Sequence, residues 1–268
     1  MRKILSLILL FSMLSPATIL ALGPSLPGTL QVEVIADDGR VFPLYALSST
    51  RPGTQRAYLE AVNGKNYAIR VRNNSPYRRG LVIAVDGRNI ISGKKSELLS
   101  SERMYILEPW QSASYRGWRT SQSSINRFFF TTSKNSYAEA WSDRSAMGVI
   151  ALAAYNPKPA RVVQPKVYSP GKPGPNDSAM EAEVASADSA FRKEKRQAGT
   201  GFGEQQYSHA RVVAFSPQSG AAEKIFLKYE WRQTLCEKRV VDCYPEPGNR
   251  FWPQQEDSYG FVPYPPAG

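Results

Sequence analysis

From Leu30 to Tyr155 the chain runs in short apolar-polar alternations, spaced about ten residues apart and broken by Gly, Pro and Asn-Gly or Asp-Gly pairs. "LQVEVIA" alternates, "DDGR" supplies a tight turn, and "VFPLY" follows. "AYLEAV" leads through Asn63-Gly64 into "YAIRVR", and "GLVIAV" leads through Asp86-Gly87 into "RNIISG". "RMYIL" stops at Pro109, "SASYRGW" follows, and "NRFFFTT" is aromatic and β-branched, as half-buried strands often are. "GVIALAAY" is apolar throughout and predicts an interior strand covered on both faces. No 3.6-residue stripe competes. The pattern predicts an all-β domain over residues 24–155, a β-sandwich of jelly-roll or immunoglobulin-like kind. Within it Asn73-Asn74-Ser75-Pro76 forms a turn, Ile69 and Val71 point inward, and Arg70 and Arg72 point outward.

Beyond Tyr155 the pattern changes. Residues 156–177 contain six prolines and little that could form a core, which predicts an extended linker. Residues 178–198 predict an amphipathic helix that docks back on the sandwich. Ser178 and Glu181 make a capping box, Met180, Val184, Ala187 and Phe191 share a face, and the basic residues gather in the last turns. Gly199 is the expected cap. Residues 199–268 return to strand patterns in "ARVVAFS" and "KIFLKYEW", then run into a cysteine-tied tail packing on the sandwich.

The first 21 residues have a basic start at Arg2 and Lys3, an apolar stretch and small residues suited to cleavage at Ala17 or Ala21. Their apolar run is shorter than the roughly 18 residues of a spanning helix. They predict a signal peptide and a periplasmic or extracellular protein without a transmembrane segment after cleavage. The formal charge of +11 falls to +9 when Arg2 and Lys3 leave, and the excess is spread along the chain. This balance fits either a basic exported domain with no special partner or one that meets an anionic envelope component. Nucleic acid is the less favoured anion. Cys236 and Cys243, the only two cysteines, predict a disulfide in an oxidising compartment.

The strings "YAIRVRN", "VIAVDGRNIISG", "YILEPWQS", "GWRTS", "FFFTTSKNSYA" and "GVIALAAY", and after the linker and helix "GTGFGEQQYS" and "VVAF", occur together and in order. In this the chain resembles a family of uncharacterised exported bacterial proteins. The resemblance covers most of the chain outside the linker, helix and cysteine tail, and it carries no catalytic residue across.

Candidate chemistry is sparse. "GTGFGE" follows the predicted helix, where carbonyls point, so it is a poor phosphate loop. The two "DGR" strings read as hairpin corners. "SGKK", Ser92 to Lys95, lacks the helical setting of an acyl-serine pair. His209, the only histidine, adjoins Ser208 in a strand pattern, and no metal site or cofactor is expected. What remains is basic-aromatic: Tyr77 and Arg79 in "YRR", and Arg116, Trp118 and Arg119 in "YRGWR". Such residues mark binding hot spots. Equally, the tryptophan can fill a sandwich edge beneath an arginine stem. The expected function is a non-enzymatic exported binding module that meets an anionic envelope component through this surface, or a partner protein through the helix. The alternative is a secreted hydrolase acting on envelope polymers through an unidentified carboxylate or serine site; convergence of Asp38, Asp86, Glu108, Glu139 and Glu204 in one cleft would favour it, and their scatter at turns would count against it.

Overall fold

The structure is a computed structural model and describes residues 28–49, 51–159 and 197–243. The predicted signal peptide, nearly all of the linker, the amphipathic helix up to residue 196 and the chain beyond residue 243 lie outside the described residues. Two seven-stranded sheets face each other as a sandwich, bearing out the all-β expectation. The strands are β1 (Leu30–Ala36), β2 (Leu44–Leu47), β3 (Thr54–Ala61), β4 (Asn66–Asn73), β5 (Arg79–Val85), β6 (Arg88–Asn89) and β7 (Tyr105–Leu107). They continue as β8 (Ser112–Tyr115), β9 (Gly117–Arg119), β10 (Ser124–Thr132), β11 (Val149–Tyr155), β12 (Ala198–Thr200), β13 (Gln205–Tyr207) and β14 (Glu223–Trp231). A six-residue helix, α1 (Arg232–Glu237), closes the described chain.

The first sheet runs β1-β4-β10-β12, with β8 on β4 and both β9 and β13 on β10; the second runs β2-β3-β14-β11-β5-β6, with β7 on β5. The strands from residue 198 onward are integral to both sheets. β12 and β13 extend the first, and β14 lies between β3 and β11 in the second. The β14–β3 pair is parallel, Lys224 to Trp231 against Thr54 to Ala61, while every other strand pair is antiparallel.

Alternation accounts for the packing. Ile69 and Val71 are buried, while Arg70 leaves the core to pair with Glu33 and Arg72 is exposed. Facing side chains of the two sheets, among them Tyr67, Phe128 and Phe130 against Leu81, Ile150 and Tyr229, form the main core. β5 and β11 are covered on their outer face too. There Val82, Ala84, Ala153 and Tyr155 meet Leu98 and Met104, which explains the continuous apolar runs.

Two expectations fail. "ARVVAFS" forms no strand: the backbone amides of Ser208 and Ala210 bond to Ser123 and Gln122, after which Arg211 to Ala214 stay exposed. β-branched residues favour a strand where they pack on a half-buried pleated surface, and here Phe215 packs, against Gly80, while the four residues before it do not. Gly199 is not a helix cap either. It sits in β12 opposite Thr131, where an added Cβ would lie 2.7 Å from Ser136 Cβ. Gly201 is still tighter, with the Phe129 ring 2.2 Å from such a Cβ. Gly201 and Gly203 serve close approach to β10 at Phe129 and Arg127, while Gly199 makes room for Ser136 and Met147.

Cys236, in α1, is disulfide-bonded to Cys243. Closing so short a loop contributes about 2.5 kcal/mol in the chain-entropy model. Replacing both cysteines by serine is therefore expected to lower stability by no more than roughly that amount. Denaturation with and without reductant checks this, since the serine variant should lose the reductant sensitivity of the wild type.

Candidate functional site

The segment "SASYRGW" makes a fork. β8 pairs with β4, as in Ile69 opposite Tyr115, and then the chain crosses to β10, where Trp118 lies opposite Asn126. Arg116 sits at the crossing, and its carbonyl accepts the Phe128 amide at 3.0 Å. Gly117 allows the crossing, since a Cβ there would lie 2.1 Å from the Asn126 carbonyl oxygen.

Alternation past the fork sends Trp118 and Arg119 to opposite faces. Trp118 is only 3% exposed. Its indole N–H donates to the Gly201 carbonyl at 3.0 Å, and its ring packs edge-on to Phe128 and tilted against Tyr137. It is a core residue, so the surface role expected for it is replaced by the edge-filling role. Arg79 is likewise buried at 6% exposure. It donates to Ser75 Oγ, Asn156 Oδ1 and Thr29 Oγ1, while Glu223 accepts the backbone amides of Thr29 and Leu30. This clasp fixes the start of β1 and leaves Arg79 nothing to offer a ligand. Tyr77 is exposed, and among the described residues no hydrogen bond or ring contact joins it to Trp118.

Arg116 and Arg119 do come together. With Tyr105, Tyr115, Gln206 and Ser208 they line a cleft of about 250 Å³ beside the fork. The Arg119 guanidinium is held in place. Its Nε donates to Tyr105 Oη at 3.1 Å, Nη2 to Ser208 Oγ at 3.0 Å and Nη1 to the Ser208 carbonyl. The Arg116 side chain makes no hydrogen bond or ion pair among the described residues; its charge is felt weakly at Asp37, which Arg127 holds. Tyr105 and Tyr115 lie with ring centroids 4.5 Å apart, and burial pushes the Tyr115 phenol well above its ordinary range. Among the described residues no Asp or Glu lines the cleft.

No family model matches the chain, and no curated protein or solved structure matches it.

A second polar centre was invisible in the sequence. Asp86 and Gly87 both have positive φ, 49° and 78°, and turn the β5–β6 hairpin as "VDGR" predicts. The Asp86 side chain, however, is wholly buried between the sheets. Oδ1 accepts the Gly148 amide at 2.7 Å and the Tyr229 hydroxyl; Oδ2 accepts the Thr200 amide at 2.7 Å. Thr200 Oγ1 bridges onward from Tyr229 to Tyr67, 2.7 Å to each. The chain of groups ties β4 and β12 of one sheet to β14 and the β5 turn of the other. Burial pushes the Asp86 carboxyl up to about 6, against the pull of its donors, and raises the Tyr67 and Tyr229 phenols. Without access from solvent this centre is a cross-sheet tie rather than a site.

The five carboxylates whose convergence would favour the hydrolase alternative stay apart. Asp38 bonds to Arg40, Glu108 to Arg78 and Glu139 to Arg144; Asp86 is interior, and Glu204 is exposed. No two share a hydrogen-bond partner. His209 is exposed, and among the described residues no group of three His, Cys, Asp or Glu could hold a metal.

Proposed function

We propose that the protein is a non-enzymatic binding module of the bacterial envelope or its surroundings, and that it captures an anionic envelope component in the Arg116–Arg119 cleft. The observation that carries this reading is an arginine unpaired among the described residues beside a hydrogen-bonded one, in a cleft that no described carboxylate lines. An anion entering there meets two cations and gives up little competing interaction. Binding is favoured over hydrolysis because four of the five carboxylates hold separate partners and the fifth, Glu204, shares none of them. An exported location is supported by the disulfide, a bond that persists in oxidising compartments. The N-terminal sequence and the resemblance to exported bacterial proteins support it as well.

Arg116→Glu tests the proposal, with Arg51→Glu as a control of equal charge on an exposed loop of the other sheet. On beads coated with lipopolysaccharide, whose groups include both phosphate and carboxylate, the Arg116 variant should lose retention at a salt concentration where wild type and control stay bound. Equal retention of all three would mean that binding is a matter of net charge, and the cleft would have no special part.

A further inference from the structure

Resting on the reading of the cleft as an anion site, we infer that its ligand is a carboxylated sugar ring, one uronic-acid-type unit of an acidic polysaccharide. Three features of the lining go beyond positive charge. The first is the state of the hydroxyls. Tyr105 Oη and Ser208 Oγ both accept from Arg119, so each keeps its own hydrogen, and neither has an acceptor among the described residues. With the Arg116 guanidinium they form a set of donors that a carboxylate can satisfy.

The second feature has the opposite polarity. Gln206 Oε1 is a buried carbonyl oxygen without a hydrogen-bond partner, and Gln206 lines the same cleft. A carbonyl oxygen repels a bare anion and needs a donor. A ligand that satisfies both sides carries an acid group and a hydroxyl on one small frame. The third is the wall. The Tyr105 and Tyr115 rings, with the buried Ile125 side chain, give an apolar surface against which the C–H face of a sugar can lie. The volume of about 250 Å³ falls below the roughly 300–1,000 Å³ of sites for drug-sized ligands, which suits a single ring with the rest of the polymer outside. A sulfate, which has no hydroxyl, would fill the donor side and leave the Gln206 carbonyl unused, and neither sulfate nor phosphate has a C–H face to lie on the tyrosine wall.

Titration calorimetry on the full chain at low salt, with trigalacturonate, maltotriose and inorganic phosphate as probes, separates the possibilities. The expected result is measurable binding of trigalacturonate, with maltotriose and phosphate each at least tenfold weaker. Arg116→Gln should weaken trigalacturonate by roughly tenfold or more, as loss of a charged hydrogen bond does. Gln206→Leu should weaken trigalacturonate while leaving phosphate unchanged, and Gln206→Glu, which sets a like charge against the ligand, should abolish uronate binding. Thermal melts of each variant report its folding. If phosphate binds as tightly as trigalacturonate and both Gln206 variants are indifferent, the sugar assignment is overturned while the anion reading stands. If no anionic probe binds the wild type, both fall.

Discussion

Asp86→Ala is expected to cost about 3–5 kcal/mol of folding stability, the range seen when one partner of a buried charged network is removed. The loss follows from what stays behind. The Gly148 and Thr200 amides and the Tyr229 hydroxyl all donate to Asp86 and have no water to turn to. Each orphaned buried group costs about 1–3 kcal/mol. Asp86→Asn separates geometry from charge. Its oxygen can still serve Gly148 and Tyr229, but its NH₂ then faces the Thr200 amide, donor to donor.

The effect depends on pH. The folded-state carboxyl is raised from 3.8 to about 6, so folding favours its protonated form. The stability this confers is complete below the unfolded value and lost as pH rises through about 6, a change of about 3 kcal/mol at 1.36 kcal/mol per unit. Asn cannot titrate. The stability gap between wild type and the Asn variant should therefore be wider at pH 4 than at pH 7.5. Urea denaturation at both pH values measures it, and a gap independent of pH would falsify the raised carboxyl.

Trp118→Ala is expected to be as damaging, at about 3–5 kcal/mol, the usual loss for an aromatic truncated in a core. The indole fills the space between Phe128 and Tyr137 and satisfies the Gly201 carbonyl. Trp118→Phe keeps a ring but drops the N–H, so it should cost less, with about 1–3 kcal/mol from the unpaired carbonyl. If Trp118→Ala melts like the wild type and loses only ligand, the residue belongs to the binding surface after all. Arg119 differs from its neighbour in this respect. Its alanine variant should remain folded but release Tyr105 and Ser208 from their present orientation.

The contrast between these adjacent residues shows what the sequence discloses. Alternation within "GWR" says that Trp118 and Arg119 face opposite ways, but it does not say which way is in. That is decided by the fork at Arg116, where the strand leaves β4 for β10. The "VDGR" corner was legible for a similar reason, since turn chemistry is local. The fate of the Asp86 carboxylate was not, because its partners lie 62, 114 and 143 residues away along the chain. The cleft was half legible. Arg116 and Arg119 stood out by type, whereas Gln206 and Ser208 reach it only because β13 pairs with β10 from far downstream. "ARVVAFS" misled because strand propensity describes a residue's fit to a half-buried pleated surface, and Arg211 to Ala214 lie on none.

The position of β14 bears on how the molecule is made. Its parallel pairing with β3 and antiparallel pairing with β11 place the Glu223–Trp231 segment in the interior of the second sheet. During synthesis, β3 and β11 both emerge before their shared neighbour. Until then both strands expose unpaired inner edges, the kind that recruits other chains, and β11 is apolar throughout. Because most of the sheet's pairings bridge distant parts of the sequence, assembly must close large loops first and is slow. Any truncation ahead of Glu223 should therefore yield an aggregating chain rather than a smaller sandwich.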